Sequence, residues 1–522
     1  MLHTELAAPG WLARLDHPLA GRWLVLLGLL LVLPSLWAGL YADDVGHQLL
    51  LANPGLLPAP DKPGLYQLFS FIDNDPLRRQ QQYAFGLLPW WTGSMEVNFF
   101  RPLSELSHAL DARLGLPVWL MHAHNLLWYG VLLVLLALFY RQLLGEQRLA
   151  MLALLLFVVD ATHGFTVAWI ANRNALIAAV FLLLSVLALM RALRLGSPVF
   201  SCLSALAAVP CLLAGESGVA LVAFVPAVFA WSRWQGRQPG ISLLLPPLLV
   251  LLLWLLVYRY YGFGAHGSTG YYTDPLADPG HFLQVLPLRF FNGVAMQFNL
   301  LPLHLSGRGQ LPLALLGVLI VLALLVFVRV SGWRPGAVLL ALFLLCLLPV
   351  SAAVMQERNL LVAGIAGAPL LAAVLQWLWR QAASRRRAGQ LAAVLVFFHL
   401  WLAVPQMLAM SVAPAVLARN NLLLAESVPQ SWQQRQLLTI GVPLFDAVYM
   451  APVALLYHQV LPQRLWPVTS VCRACRLAGQ PTGSGIFAVS RACWPVITGC
   501  CVTCSENRLW PASAWHWMVR SW

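Results

Sequence analysis

The chain has 522 residues, of which 60% are hydrophobic and only 10% are charged, and its mean hydropathy is +0.74. These values exclude a soluble multidomain protein, because stretches such as 241–257 and 311–328 approach the roughly 20 apolar residues that cross a bilayer. The net charge of +13 does not indicate nucleic-acid binding, since the arginines cluster in short connections between apolar runs. The composition therefore predicts an all-α polytopic membrane protein.

Eleven apolar runs are predicted to be transmembrane helices. They cover residues 22–40, 118–139, 149–163, 174–190, 198–214, 216–231, 241–260, 310–328, 336–353, 359–378 and 390–410. Arginines occupy alternate connections, which places five loops and the amino-terminal residues 1–21 in the cytoplasm. The first run also resembles a signal peptide, but Tyr41-Ala-Asp-Asp is a poor cleavage site, so an uncleaved anchor is predicted. We therefore predict an integral protein of a bacterial inner membrane, with its carboxyl terminus outside the cytoplasm.

The opposite side of the membrane receives two long loops, 41–117 and 261–309, the segment 411–465 and a Cys- and Trp-rich tail, 466–522. Every unusual polar residue falls on this side. The set comprises Asp43, Asp44, Arg101, His163, Arg173, Glu216, Glu357 and Arg358. Because ionisable groups at a bilayer boundary usually face a cavity or a partner, we predict that they converge on one outer cavity of the transmembrane module 22–410.

The first outer loop is too long for a simple connector and is predicted to be structured. Apolar residues recur at helical spacing in Leu65–Ile72 and in Leu103–Leu114. The second of these stretches places its leucines on one face, as expected of a helix that lies in the membrane interface. In the second outer loop, the Gly-rich and aromatic segment 262–272 is either a mobile gate over the cavity or an ordinary connector.

The tail 466–522 holds six of the nine cysteines. Cys472-Arg-Ala-Cys475 and Cys501-Val-Thr-Cys504 imitate a zinc ribbon, although the gap between them is slightly longer than usual. Outside the cytoplasm, disulfides would outcompete zinc. An aperiodic segment of this composition is also typical of out-of-frame translation, so a disulfide-linked tail, a zinc site and an artefactual or unstructured tail remain alternatives. The cysteines do not support a metal site.

Six short motifs carry the polar residues and share the outer side. They are Asp43-Asp44, Asn98–Ser104, Pro117–Leu127, Thr162–Leu176, Ala214–Ser217 and Gln356–Leu360. In this order they resemble the GT-C-fold integral-membrane glycosyltransferases, in particular the branch that contains protein O-mannosyltransferase-like proteins and the tetratricopeptide-bearing mannosyltransferases. The resemblance covers about residues 22–378. It implies transfer of a sugar from a polyprenyl-phosphate carrier to a protein, lipid or glycan hydroxyl outside the cytoplasm.

The chain departs from that family at three positions. His163-Gly replaces a His-Pro pair, Asn172-Arg173 replaces Gly-Arg, and Gly215-Glu-Ser217 replaces Lys-Glu-Ser. The first two changes keep the ionisable residue, whereas the third removes a lysine beside Glu216. The tail shows no tetratricopeptide repeat, so the resemblance implies a smaller relative.

Asp43 or Asp44 is predicted to be the catalytic base, because inverting sugar transfer needs a carboxylate that takes the proton of the acceptor hydroxyl. The neighbouring carboxylate could raise the pKa of the base, orient the acceptor or hold a divalent cation. No cofactor is predicted with certainty. The alternative is that the pair is only the solvated end of a helix.

Arg358 and Arg173, with Arg101 as a third candidate, are predicted to bind the donor phosphate, because a guanidinium group pairs well with phosphate oxygens. An ion pair between Arg358 and Glu357 is the alternative for the first of these arginines. For the other two arginines the alternative is contact with lipid headgroups.

Four further residues, His163, Glu216, Glu357 and His47, are predicted to contact the substrate or to support those that do. A lone histidine such as His163 is more often a structural hydrogen-bonding group. Glu216 either contacts the sugar or pairs with an arginine such as Arg173. His122 and His124 are predicted to pack at the interface.

A transporter or flippase for a lipid-linked or amphipathic solute is the alternative function. Such a protein commonly places ionisable residues near the middle of the bilayer and shows a twofold repeat of spans. The sequence shows neither feature, because its charges lie at the ends of the apolar runs. The enzyme hypothesis is therefore favoured.

Overall fold

The computed structural model describes residues 10–52, 67–73, 75–84, 87–88, 95–267, 271–298, 309–426, 436–440, 444–458, 464–469 and 487–489. Within them the elements follow in chain order. They are α1 (Ala20–Val32), α2 (Asp43–Ala52), β1 (Ser70–Ile72), α3 (Pro76–Ala84), β2 (Glu96–Asn98), α4 (Pro102–Arg113), α5 (Val118–Leu144), α6 (Gln147–Val158), α7 (Thr162–Ala168), α8 (Arg173–Leu195), α9 (Pro198–Ala214), α10 (Leu221–Trp234), α11 (Leu245–Tyr260), β3 (Gly264–His266), α12 (Pro279–Gln297), α13 (Gln310–Ser331), α14 (Arg334–Val350), α15 (Leu361–Ala382), α16 (Arg386–Val396), α17 (Ala403–Glu426), β4 (Gln436–Ile440), α18 (Leu444–His458), β5 (Arg464–Thr469) and β6 (Phe487–Val489).

Eight of the described helices are long and apolar enough to cross a membrane, or nine if α6 and α7, which meet at a bend of 60°, form one broken span. Two shorter apolar helices, Pro198–Ala214 and Pro335–Val350, add to these. Together they match the eleven predicted runs one to one. The fold class is therefore confirmed as an all-α polytopic membrane protein, while the number of spans, the compartment and the orientation of the termini stay predictions.

The apolar helices differ in how much of their surface packs against the protein. The span that contains α15 is 83% buried, whereas α13 is 22% buried. Residues on α15 that face neighbouring helices are small, as at Ala363, Gly364 and Ala366, which lets the backbones approach closely. Helix α13 instead exposes leucine and valine. These patterns place α15 at the centre of the bundle and leave α13 facing lipid.

The two long outer loops meet in one small antiparallel sheet with the order β1-β2-β3. Strand β2 comes from the first loop and pairs Glu96 with His266 of β3, in the second loop. The predicted helix over Leu65–Ile72 is wrong in its described part, because Ser70–Ile72 forms β1. Its aromatic and β-branched residues suit a strand once β2 lies beside it. This sheet confirms that the two loops lie together.

Helix α4 confirms that the second stretch of the first outer loop is helical, while its location in the membrane interface stays a prediction. Leu106, Leu110 and Leu114 are about half exposed or more, at 52%, 49% and 62%. The opposite face carries buried polar residues, among them His108 and Asp111. The helix therefore turns its apolar side away from the protein, as a helix that lies on a membrane surface does.

The carboxyl-terminal segment folds back onto the start of the chain. Helix α17 continues to Glu426, so the boundary predicted at 410 lies inside a helix whose apolar spacing does not end there. Helix α18 packs its buried apolar residues against Val45 and Leu49 of α2. Strands β5 and β6 pair in parallel with β4. The cysteine pairs at 472, 475, 501 and 504 lie outside the described residues.

Candidate active site

The turn between α1 and α2 sets the position of the aspartate pair. The chain leaves α1 through a 3-10 helix at Leu33–Trp37 and then bends at Gly39 and Ala42, whose φ angles are 75° and 52°. Positive φ disfavours alanine by about 1–2 kcal/mol, and Ala42 adopts it while fully buried. Asp43 and Asp44 then begin α2, where the helix dipole stabilises their negative charge.

Asp44 is a buried structural carboxylate, with only 1% of its surface exposed. Its Oδ2 accepts a hydrogen bond from the N–H of Tyr41 at 3.1 Å, and its Oδ1 accepts one from the N–H of Ala171 at 2.6 Å. Burial raises the pKa of Asp44 to about 8, and the two backbone donors oppose that rise. Both oxygens are therefore occupied by the protein, and they tie α2 to the turn that precedes α8.

Asp43 is partly exposed and has different neighbours. Its Oδ1 accepts a hydrogen bond from the hydroxyl of Tyr449 on α18, whereas Oδ2 has no hydrogen-bond partner among the described residues. Burial raises the pKa of Asp43 above its ordinary value, while Tyr449, Arg358 and Arg101 act in the opposite direction. A carboxylate with one oriented oxygen, one unpaired oxygen and a raised pKa is suited to accept a proton.

Arg358 lies against the turn that carries the aspartates. Its Nε donates to Oε1 of Gln356 at 2.7 Å, and its Nη2 donates to the hydroxyl of Tyr271 at 3.2 Å. The guanidinium carbon lies 4.6 Å from the ring centre of Trp169, a cation–π contact. The indole N–H of Trp169 donates to the carbonyl of Tyr41 at 3.1 Å. Aromatic and backbone contacts therefore hold this cation at the site.

Arg101 forms an ion pair with Glu216, with Nη2 2.7 Å from Oε2. The other oxygen of Glu216 accepts a hydrogen bond from the hydroxyl of Tyr258 at 3.1 Å. The guanidinium carbon of Arg101 also lies 4.9 Å and 4.3 Å from the ring centres of Phe69 and Phe99. Side chains of the first long loop, of the turn before α10 and of α11 therefore meet here.

Arg173 is fully buried, with 0% of its surface exposed. Its Nη1 lies 2.6 Å from Oδ2 of Asp111, and its Nε donates to Oδ1 of Asn125 at 2.6 Å. These contacts hold α4 and α5 against α8. The predicted contact between Arg173 and a donor phosphate would require the contacts with Asp111 and Asn125 to break. Glu216 accordingly pairs with Arg101 and not with Arg173, the partner that the sequence suggested.

The two predicted interface histidines also have buried or paired positions. His122 is fully buried, and its Nε2 donates to the carbonyl of Gly39 at 2.9 Å. His124 contacts Asp111 through Nδ1 at 2.8 Å, and its Nε2 accepts a hydrogen bond from the indole of Trp128 at 3.1 Å. Both histidines therefore support the network behind the aspartates.

His47 supports the first outer loop from α2. It is 2% exposed, its Nε2 donates to the carbonyl of Leu68 at 3.0 Å, and its ring lies 4.9 Å from that of Phe69. Burial lowers the pKa of His47 to about 3, so the ring is neutral at physiological pH. The residue thus positions the loop that carries β1.

His163 lies deeper than the outer site, at the break between α6 and α7. It is fully buried, its Nδ1 donates to the carbonyl of Phe157 at 3.0 Å, and its Nε2 lies 4.0 Å from Oδ2 of Asp160. Asp160 accepts hydrogen bonds from the N–H of Thr162 at 3.0 Å and from Nε2 of Gln297 at 2.8 Å. Asp160 therefore lies at the break between the two helices and is held there by Thr162 and Gln297.

Sequence reasoning missed Tyr449 and Tyr271, which contact the candidate base and the candidate phosphate-binding arginine. Tyr449 lies 406 positions from Asp43. Helical spacing of apolar residues over 444–458 could have indicated α18, but no local pattern marks its contact with α2. Glu357 begins the 3-10 helix Glu357–Leu360, beside Arg358, and is partly buried.

A divalent cation would find few ligands at the aspartate pair. Both oxygens of Asp44 accept backbone hydrogen bonds, so only Oδ2 of Asp43 remains unpaired in this pair. In the part of the chain that the structure describes, no group of three or more His, Cys, Asp or Glu side chains could hold a metal ion.

Comparisons with known proteins find similarity among solved structures. No family model matches the chain, and no curated protein matches it. Among solved structures, it is similar to ArnT from Cupriavidus metallidurans, solved with bound undecaprenyl phosphate, at 13% sequence identity and a TM-score of 0.40. The match covers 86% of this chain and 85% of that chain. The site is therefore interpreted from its own geometry.

Proposed function

We propose that this chain is a membrane glycosyltransferase that moves a sugar, with inversion, from a polyprenyl-phosphate donor to a hydroxyl of a protein, lipid or glycan outside the cytoplasm. The observation that carries the proposal is the position of Asp43, whose unpaired oxygen lies where the charges of Arg358 and Arg101 act on it. A base beside guanidinium groups at the membrane boundary suits a reaction in which a hydroxyl loses a proton while a phosphate leaves.

Asp43 acts as the general base. Its Oδ2 takes the proton of the acceptor hydroxyl while the oxygen of that hydroxyl forms a bond to the anomeric carbon. The bond between this carbon and the phosphate oxygen breaks on the opposite face, and its electron pair leaves with the phosphate. The hydroxyl of Tyr449 holds Oδ1, so that the reactive oxygen keeps one orientation. Asp44 keeps the turn in place through its two backbone hydrogen bonds.

Arg358 meets the charge that develops on the leaving phosphate. Its guanidinium is held by the ring of Trp169 and the hydroxyl of Tyr271, neither of which neutralises it. Arg101 is already paired with Glu216, so its charge contributes less. Preorganised cations of this kind stabilise a transition state because they need no rearrangement during the reaction.

The resemblance of the six outer motifs to the GT-C glycosyltransferases supports the same reaction class. Three of those motifs supply Asp43, Arg101 and Arg358. Their side chains lie close enough for the two arginines to lower the pKa of the aspartate. The structure of the site and the order of the motifs are independent observations, and both support sugar transfer from a lipid-linked donor.

One observation favours the second candidate, a flippase for a lipid-linked solute. Asp160 lies at a break inside a candidate span, and ionisable residues at broken helices are frequent in transporters. The two functions differ in product, because a flippase moves the labelled lipid across a vesicle membrane without forming a new glycosidic bond. Mass spectrometry of the acceptor fraction distinguishes them.

The proposal is tested by the substitution Asp43→Asn in membranes that contain the full chain. We expect transfer of sugar from a polyprenyl-phosphate donor to fall by at least about 100-fold, since a positioned base contributes roughly 10²–10⁴ to the rate. The amount of membrane-inserted protein should not change, because asparagine keeps the hydrogen bond to Tyr449.

Asp278→Asn is the matched control. Asp278 is an exposed carboxylate that caps α12 by accepting a hydrogen bond from the N–H of His281, and asparagine caps helices equally well. Transfer at the wild-type rate by the Asp43→Asn protein would refute the assignment of the base. Equal losses in both variants would show that the loss of activity is not specific to Asp43.

A further inference from the structure

A cleft lies at the opposite end of the helix bundle from the candidate active site. It has a cavity volume of about 100 Å³ and is formed by the carboxyl-terminal ends of α5, α8 and α10. Arg173 begins α8 and Glu216 begins the 3-10 turn before α10, so the active site lies at the amino-terminal ends of the same helices. Each of these helices is long enough to cross a bilayer, which places the cleft at the other membrane boundary.

Two arginines line this cleft, Arg194 and Arg237. Within the described ranges, neither guanidinium has an ion-pair or hydrogen-bond partner, and no carboxylate is among the lining residues. Two nearby arginines outside the lining have partners, since Arg191 lies over the ring of Phe200 and Arg233 donates to Gln238. The cleft therefore concentrates unneutralised positive charge.

Ser232 is the second independent feature of the cleft. It is 3% exposed and lines the cavity, yet its hydroxyl has no hydrogen-bond partner among the described residues. A buried hydroxyl without a partner destabilises the fold. Ser232 lines the same cleft as Arg194 and Arg237, so its hydroxyl is available to donate to an acceptor that binds there.

We propose that this cleft binds the phosphate of an anionic membrane phospholipid. The guanidinium groups of Arg194 and Arg237 pair with the phosphate oxygens, and the hydroxyl of Ser232 donates to one of them. Apolar side chains of the same cleft, Met190 and Val228, lie next to the first part of the acyl chains. The location at the ends of three spans favours a lipid over a soluble phosphate, because basic pockets between helices at this level bind lipid headgroups.

The test measures retention of phosphatidylglycerol relative to phosphatidylcholine by native mass spectrometry of the full chain, released from mixed nanodiscs at about 0.5 M salt. At this salt the Debye length is about 4 Å, so diffuse attraction is screened while direct contacts persist. We expect the wild-type protein to prefer phosphatidylglycerol. The double variant Arg194→Ala/Arg237→Ala should lose that preference by about thirtyfold, and Ser232→Ala by about fivefold.

The matched control is Arg191→Ala/Arg233→Ala, which removes the same charge from the same helix ends outside the cleft. It should keep the preference within about twofold. Equal losses in both double variants, or no preference in the wild type, would overturn the proposal. Displacement of the lipid by millimolar inorganic phosphate would also overturn it, since the cleft would then recognise free phosphate.

Discussion

Asp43 and Asp44 are adjacent and chemically identical, yet their oxygens have different partners. Asp44 uses both oxygens to hold backbone N–H groups, whereas Asp43 keeps one oxygen for an external group and receives the hydroxyl of Tyr449 on the other. Both residues begin α2, and successive side chains of a helix point about 100° apart. The partners that the fold supplies to each carboxylate therefore make a distinction that the sequence left open.

Removal of the Tyr449 hydroxyl should shift the pH dependence of the reaction. The hydroxyl lowers the pKa of Asp43 and opposes the rise that burial causes. In Tyr449→Phe the pKa of Asp43 should therefore rise further above its ordinary value. Because the base acts in its deprotonated form, the acid limb of the kcat/KM profile should move to higher pH by the same amount.

Tyr457→Phe is the control for this prediction, since Tyr457 is on the same helix and is 49% exposed. The acid limb of the kcat/KM profile of Tyr457→Phe should coincide with that of the wild type. An unchanged acid limb in Tyr449→Phe would show that the tyrosine does not act on the base.

Helix α7 connects Asp160 to the candidate active site. The N–H of Thr162 at its start donates to Asp160, and Trp169, directly after its end, contacts the guanidinium of Arg358. The helix also packs against α17. A Cβ atom on Gly164 would lie 2.8 Å from the carbonyl oxygen of Met407. This glycine, where the resembling family has proline, therefore lets α17 approach α7 closely.

Gly164→Ala should force α7 and α17 apart. Overpacking of this kind costs about 1–3 kcal/mol, so the midpoint of thermal unfolding in detergent should fall and sugar transfer should fall with it, because Trp169 moves with α7. Gly130→Ala is the control, since its Cβ would lie 3.5 Å from Leu29, an ordinary contact. A variant at position 164 as stable as this control would contradict the proposed close approach.

In the whole molecule, a helix from the amino-terminal part and a helix from the carboxyl-terminal part meet at the candidate active site. Helix α2 follows the first span, and α18 comes after the last apolar helix and packs on it. Residues of the carboxyl-terminal region thus complete the surroundings of Asp43, although the resemblance to known enzymes ends near residue 378.

Truncation tests this arrangement. A chain that ends at residue 443 lacks Tyr449 and should lose sugar transfer at least as completely as Tyr449→Phe at neutral pH. A chain that ends at residue 489 keeps α18 and should transfer sugar at nearly the wild-type rate. Sugar transfer by the two truncated chains is compared in membranes at matched protein levels. Full activity of the chain that ends at residue 443 would contradict a role for α18 in the reaction.

The helices could be predicted from the sequence, whereas only some of the contacts at the candidate site could. Apolar length indicates a membrane helix by itself, so all eleven runs correspond to helices. Burial of Arg173 among α4 and α5 could not be read from the sequence, because its partners Asp111 and Asn125 are set by packing. For the same reason Leu65–Ile72 was assigned to the wrong element, since its strand exists only beside β2.

The break between α6 and α7 has a consequence for the solvent. Both oxygens of Asp160 accept hydrogen bonds from the protein, whereas Nε2 of His163 is buried without a hydrogen-bond partner among the described residues. One water molecule that enters at the break would satisfy this nitrogen, since ordered water commonly pairs with buried polar groups that the protein leaves unpaired.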